Sequence, residues 1–286
     1  MKKIKRGWAL TKKSWGLLNG HRELLRFPLY GAVATIPLAF IFLGPGLYFL
    51  DEGTLGGAIP LLVIGVYVLS VVGFYFSVGL AAAADMIFRG EEATVADGLA
   101  VARSRFAQIC GWAAVSTAIS VLMGALENQG GIAGTIAARV VGMAWSLVTF
   151  LAVPVIAIEG TGPFETLKRS AGLFKSRWGA QITGNLAIGG AVFLLGVLPS
   201  AALIAIGVLV WTSAGFAGAL LVILGTIGLA IALLISKALS GIFGVALYRY
   251  TLEGEAVGGF TAEELESAVK AKGGRNAPPT ATPGTV

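Results

Sequence analysis

Few residues in this chain of 286 carry side chains able to do chemistry, and their types narrow what that chemistry can be. There is one histidine, His21, and one cysteine, Cys110. That number argues against a His/Cys metal site within the chain and permits no intrachain disulfide, so cysteine usage leaves the compartment open. No Walker phosphate loop, no HExxH helix and no Gly-x-Ser-x-Gly elbow occurs, and the histidine has no cysteine nucleophile placed to partner it. We therefore expect no enzyme, no catalytic residue, no metal and no cofactor. What remains is a handful of charged or amide groups inside apolar runs. Asp85 reads either as a proton- or ion-binding carboxylate or as an interfacial acid paired with Arg89 one helical turn later. Lys237 either pairs with Asp85, both lying towards the same side, or carries its ammonium out along its long stem. Glu159 and Asn185 are candidates for polar contacts between helices, with Glu159 also placed to hold the segment after it.

These residues must be positioned by elements that lipid rather than water surrounds. Only 13% of residues are charged and 56% are hydrophobic, against roughly 25% and 45–50% in an ordinary soluble domain. Too few polar groups exist to cover a soluble core of this size. The net charge of +6 does not indicate nucleic acid, because the basic residues flank apolar runs instead of forming one face. The basic start is not a secretory signal in this reading: Lys12, Lys13, His21, Arg22, Glu23 and Arg26 interrupt the stretch where an apolar core should begin.

Runs long enough to cross a bilayer, about 20 residues, lie near 28–50, 57–84, 108–126, 139–158, 182–211 and 215–236. Pro199 is expected to kink or split the fifth, and Lys237 either ends the sixth or lies within a long tilted helix. Every lysine and arginine except Arg139 and Lys237 falls before the first run, in the second and fourth connections, or after the last. The opposite connections carry Asp51, Glu52, Glu127 and only Arg139. That bias predicts an even number of spans with both termini cytoplasmic. Glycine pairs such as Gly130/Gly134, Gly225/Gly228 and Gly241/Gly244 imply tight helix packing and nothing more.

Three segments on the basic side share an apolar stripe at helical spacing. The stripes are Ile4, Trp8, Trp15 and Leu18; then Val95, Leu99, Ala102, Phe106 and Ile109; then Phe164, Leu167, Ala171, Phe174 and Trp178. Thr94 with Asp97, and Pro163 with Glu165, are helix-start signals. Such helices suit the headgroup layer, with Lys12, Lys13, Arg103, Arg105, Lys168, Arg169, Lys175 and Arg177 as contacts to anionic lipid. Matching Lys-Ser-Trp, Arg-Ser-Arg-Phe and Lys-Ser-Arg-Trp phrases suggest one surface helix followed by two membrane helices, used three times.

Glu159-Gly160-Thr161-Gly162-Pro163-Phe164-Glu165-Thr166-Leu167-Lys168-Arg169-Ser170 and Ala246-Leu247-Tyr248-Arg249-Tyr250 resemble an uncharacterised prokaryotic integral membrane family, a domain of unknown function. Arg6-Gly7-Trp8-Ala9-Leu10 and Lys13-Ser14-Trp15 fit it too. The first phrase is also similar to the membrane domain attached to some glycerophosphodiester phosphodiesterases, which is not the catalytic part of those enzymes. The resemblance implies architecture and carries over no catalytic residue.

The expected fold is all-α: a polytopic membrane bundle of about six transmembrane helices plus amphipathic cytoplasmic surface helices. It divides into a cytoplasmic amphipathic segment 1–27, a membrane domain 28–252 with surface helices near 94–107 and 163–178, and a cytoplasmic tail 253–286. In that tail Thr261 with Glu264, and Phe260 with Leu265, mark a short helix before a disordered end. The expected function is that of a non-catalytic accessory, scaffold or membrane-organising subunit of the cell membrane, with lipids and a protein as partners. The alternative is a small-solute or lipid transporter, with Asp85, Lys237 and Asn185 along its path.

Overall fold

Proline and glycine decide where the apolar runs continue as helix and where they break. The computed structural model describes residues 15–16, 18–129, 131–178, 192–211, 215–254 and 256–261. Among these, all regular structure is helical. A single 3-10 turn, Arg22–Leu25, leads into α1, Arg26–Asp51, and a short turn at Gly53 reverses the chain into α2, Leu55–Phe88. Then come α3, Val95–Ser104, α4, Phe106–Gln129, and α5, Gly131–Thr149. They are followed by α6, Ala152–Ile158, α7, Pro163–Trp178, α8, Leu198–Val210, and α9, Gly215–Glu253.

Four stretches among the described residues are long and apolar enough to cross a membrane: Arg22–Asp51, Leu55–Phe88, Phe106–Glu127 and Gly215–Glu253. The expected run 139–158 is not one helix. It divides between α5 and α6 at Phe150 and Leu151, because Pro154 has no N–H to offer the carbonyl of Phe150 and its ring crowds that carbonyl. In the expected run 182–211, the part up to residue 191 lies outside the described residues. The part beyond enters α8 through a wide π-turn, Phe193–Val197, just ahead of Pro199, where a looser turn accommodates the missing donor. The sixth run does not stop at Lys237: α9 passes through it and continues to Glu253.

The core is gathered at one end of the molecule. On α2, every residue from Val78 to Asp85 is buried, and on α9 the buried set is concentrated between Ala238 and Thr251. Away from that end the same helices expose large apolar side chains, among them Phe40 and Ile41 on α1, Ile59 and Ile64 on α2, and Phe216 and Leu224 on α9. Glycines let the helices approach closely where they pack. Gly225 of α9 lies against the Ser200 carbonyl, Gly241 against Leu80, and Gly134 against the Leu126 carbonyl.

Four of the five residues in the apolar stripe of the second surface segment face protein, and Phe106 is 50% exposed. Thr94 and Asp97 form a reciprocal capping box at the start of α3, and Ala102 and Ile109 are fully buried while Val95 and Leu99 pack on the core. The reason is the small residue at the contact: a Cβ on Gly98 would stand 2.5 Å from the Gly79 carbonyl and 2.6 Å from the Phe27 ring, so α3 sits directly on α2. On α7 the buried face is Thr166, Ser170 and Leu173, with Leu167 packed alongside, whereas Phe164 is 75% exposed. Of the first stripe, Leu18 is buried and Trp15 exposed, and Ile4 and Trp8 lie outside the described residues. At the other end of the chain Phe260 is buried, its ring 6.0 Å from that of Phe243; Glu264 and Leu265 lie outside the described residues.

Gly98→Ala is expected to lower stability by about 1–2 kcal/mol, since overpacking exceeds the gain in helix propensity. Gly172→Ala on α7, where nothing stands within 4 Å, is expected to be neutral or stabilising by up to about 1 kcal/mol. Thermal unfolding of both variants in the same detergent checks the pair. The Asp97 carboxyl is held below its usual value by the Thr94 hydroxyl and then by the Thr94 N–H. A lowered folded value means the cap contributes fully above the ordinary aspartate range and is lost as pH falls through the lowered one. The amide protection factors of residues 95–98 are expected to fall in that acid window, and Thr94→Ala to weaken that dependence while leaving the part owed to the residue-94 N–H.

Candidate functional site

The last turns of α2 and α9 carry the charges that the core encloses. The alanine run Ala81–Ala84 brings neighbouring backbones close, and Asp85 follows it, 3% exposed. Oδ1 of Asp85 accepts a hydrogen bond from Arg249 Nε of α9 at 2.6 Å, and Oδ2 accepts one from Arg89 Nη2 one turn along α2. Arg249 also reaches Glu253 at 3.4 Å. Both carboxylate oxygens thus meet guanidinium groups, the arrangement that lets a buried charge persist.

The adjacent residue of α9 begins a second cluster. Tyr248 donates its hydroxyl to Glu159 Oε1 at 2.6 Å, across 89 positions of sequence. Arg169 Nε of α7 donates to both oxygens of Glu159, at 2.9 and 3.0 Å, and this bond raises the Arg169 pKa above its ordinary value. Glu159 caps the end of α6, and the turn after it needs glycine for its backbone. Gly160 has φ +68°, and a Cβ there would stand 2.3 Å from the Arg105 guanidinium carbon. Thr161 and Thr166 pair their hydroxyls at 2.7 Å, and Thr166 N–H donates to the Gly162 carbonyl, fixing the first turn of α7.

These contacts correct several sequence expectations. Asp85 is held by Arg249 and Arg89, and not by Lys237, which lies three turns earlier on α9 with its ammonium beside Gly73 of α2. The reason is helix register: Lys237 precedes Arg249 by twelve residues, about 18 Å along the axis. The interfacial pairing with Arg89 does form. Glu159 makes its contacts between elements, holding both α7 and α9. Of the residues expected at anionic headgroups, Arg103, Lys168 and Lys175 are exposed. Arg169 is bound to Glu159, and Arg105 is packed against Gly160. Lys12, Lys13 and Asn185 lie outside the described residues, as does the side chain of Arg177. Tyr248 and Arg249 were not singled out as site residues. The available signal was their place in one of the two quoted phrases; these phrases meet at the Tyr248–Glu159 bond.

Two hollows open near this end. One, of about 270 Å³, is lined by His21, Glu23, Phe27, Ala83, Ile87 and Thr94 among others. The other is a shallow groove along α7 bordered by Glu165, Lys168, Arg169, Gly172 and Leu173. Neither is lined by Asp85 or Lys237. With both carboxylates engaged, the arrangement works as a clamp joining α2, α6, α7 and α9.

A family model of unknown function, DUF6159, matches residues 57–259. The chain belongs to that family. The matched stretch opens early in α2 and contains every residue of the two clusters, from Asp85 through Glu159 and Arg169 to Glu253. The DUF6159 match agrees with the expected uncharacterised family, and it shows no link to the glycerophosphodiester phosphodiesterases. No curated protein matches the chain.

Arg249→Met is expected to cost about 3 kcal/mol, because it leaves a buried carboxylate with only the half-exposed Arg89 as partner. Asp85→Met combined with Arg249→Met is expected to recover a large part of that loss. Thermal unfolding of the single and double variants in detergent measures the difference.

Proposed function

We propose that this chain is a non-catalytic integral membrane protein of six spans, both termini cytoplasmic, that serves as a scaffold or accessory subunit. The observation that carries the reading is the sealed polar core: the one buried carboxylate of α2 is saturated by two arginines, and its surroundings from Val78 to Ala84 are buried. A translocation path opening through this packed end would instead leave such a group facing water. The lipid-facing apolar surface of the four long helices supports membrane insertion. The fifth crossing is α5, about 28 Å long at 1.5 Å per residue, and the sixth is the run that ends in α8. The basic residues flank α1, α2, α7 and the end of α9, which supports cytoplasmic placement of the packed end. The partners are membrane lipid and a protein that the packed end supports.

Single-cysteine accessibility in membrane vesicles of both orientations tests this reading, starting from Cys110→Ser. Cysteine at Ala81, fully buried one turn from Asp85, is expected to resist a hydrophilic maleimide from either side. Cysteine at Glu52 is expected to react from outside only, and at Glu92 from inside only. Rapid labelling at position 81 by reagent supplied from the outer side would transfer the assignment to a transporter, and reversed labelling at 52 and 92 would overturn the orientation.

A further inference from the structure

Lys237 lies within the longest apolar helix, α9, and the depth at which it sits bears on what it binds. The exposed large apolar side chains of α9 run from Phe216 to Leu233, and after them only Leu252 near the end of the helix is exposed. Lys237 follows Leu233 by one turn, exposed, and beyond it the helix turns into the protein core. Its ammonium lies 3.9 Å from where a Cβ on Gly73 of α2 would stand. The same level on α1 follows from the antiparallel register, in which Gly31 meets Phe76, Gly46 meets Leu62 and Gly65 meets Phe42, setting Ala34 opposite Gly73. On α4 the Tyr75–Phe106 and Phe74–Trp112 ring contacts bring Gln108 to that level.

From this plane the four helices α1, α2, α4 and α9 reach their far ends after about 26, 27, 32 and 33 Å. The hydrocarbon core of a bilayer is about 30 Å thick. The plane of Lys237 is therefore a membrane boundary, and the exposed Tyr30 and partly exposed Tyr75 near it suit an interfacial belt. The Asp85–Arg249 clamp lies about 18 Å farther on, outside the hydrocarbon. Asp85 is thus too distant to neutralise Lys237 and is already held by two arginines, and among the described residues no carboxylate pairs with Lys237.

We propose that the groove between α2 and α9 at Gly73 and Lys237 is a site for the phosphate of an anionic phospholipid from the leaflet on the packed side. The small residue leaves room beside the ammonium, and the lysine supplies a compact charge at headgroup depth. The proposal rests on the membrane reading above and is independent of the scaffold role.

The test is native mass spectrometry of the full chain released from detergent, titrated with phosphatidylglycerol or phosphatidylcholine. Wild-type protein is expected to retain one phosphatidylglycerol, and Lys237→Met to bind it about fivefold more weakly. Lys237→Arg and Arg139→Met are expected to keep it. Lys237→Met removes a charge from an apolar surface, so its thermal unfolding should match or exceed wild type. Equal retention by wild type and Lys237→Met, or displacement of the lipid by millimolar inorganic phosphate, would overturn the site. A chain that alkaline carbonate strips from native membranes would instead sink the membrane reading beneath it.

Discussion

The carboxylate of Asp85 and the guanidinium of Arg249 hold together the two longest helices at the end where the core lies. A charge buried to this degree is costly unless both of its oxygens are satisfied, so the position of α9 against α2 is specified by hydrogen-bond geometry as well as by apolar packing. Arg89 completes the carboxylate, and Glu253 takes the outer face of Arg249. Because Tyr248 is the neighbour of Arg249, the same turn of α9 also engages Glu159, and through it Arg169 of α7. One helical turn thereby ties four elements. The turn after Glu159 is compact enough to allow this only because Gly160 adopts φ +68° beneath Arg105.

Asp85 and Glu159, the carboxylates that first suggested chemistry, both hold arginines, Arg249 and Arg89 on one and Arg169 on the other. In a helix bundle whose outer surface is apolar, there is little hydrophobic driving force to distinguish one helix pairing from another. Directional ion pairs and close glycine contacts supply that distinction. The packed end contains both, with α3 seated on α2 through Gly98 and Gly79 and the clamp beside it. The opposite end relies on glycine contacts such as Gly225 against Ser200. Such a division suits a protein whose membrane part anchors and whose packed end presents a fixed shape, which is the role proposed for it.

Apolar run length, helix-start chemistry and charge asymmetry are local properties, and they were legible without coordinates. The all-helical class, the Thr94–Asp97 capping box, Pro163 at the start of α7 and the Asp85–Arg89 pair each depend on residues within about one turn of each other. Run length alone overstated continuity at 139–158, where a single proline outweighed the apolar pattern. In the second surface segment the helix lies where its start signal placed it, but the period could not say how much of its stripe faces protein, because a stripe facing protein and one facing lipid have the same period.

What the sequence by itself determined was therefore the material of the structure: helices of membrane length, their approximate places, and the few ionisable groups among them. Only the tertiary structure decided which of those groups meet. Lys237 and Arg249 are both cations on one helix, and nothing local says which of them Asp85 takes. That choice follows from the depth and rotation of α9 against α2, set by contacts such as Gly241 on Leu80 and Tyr248 on Glu159 between residues far apart in the chain. Ion pairing falls off within a few ångströms, while a shift of twelve residues moves a side chain about 18 Å, so register, and not residue type, selected the partner.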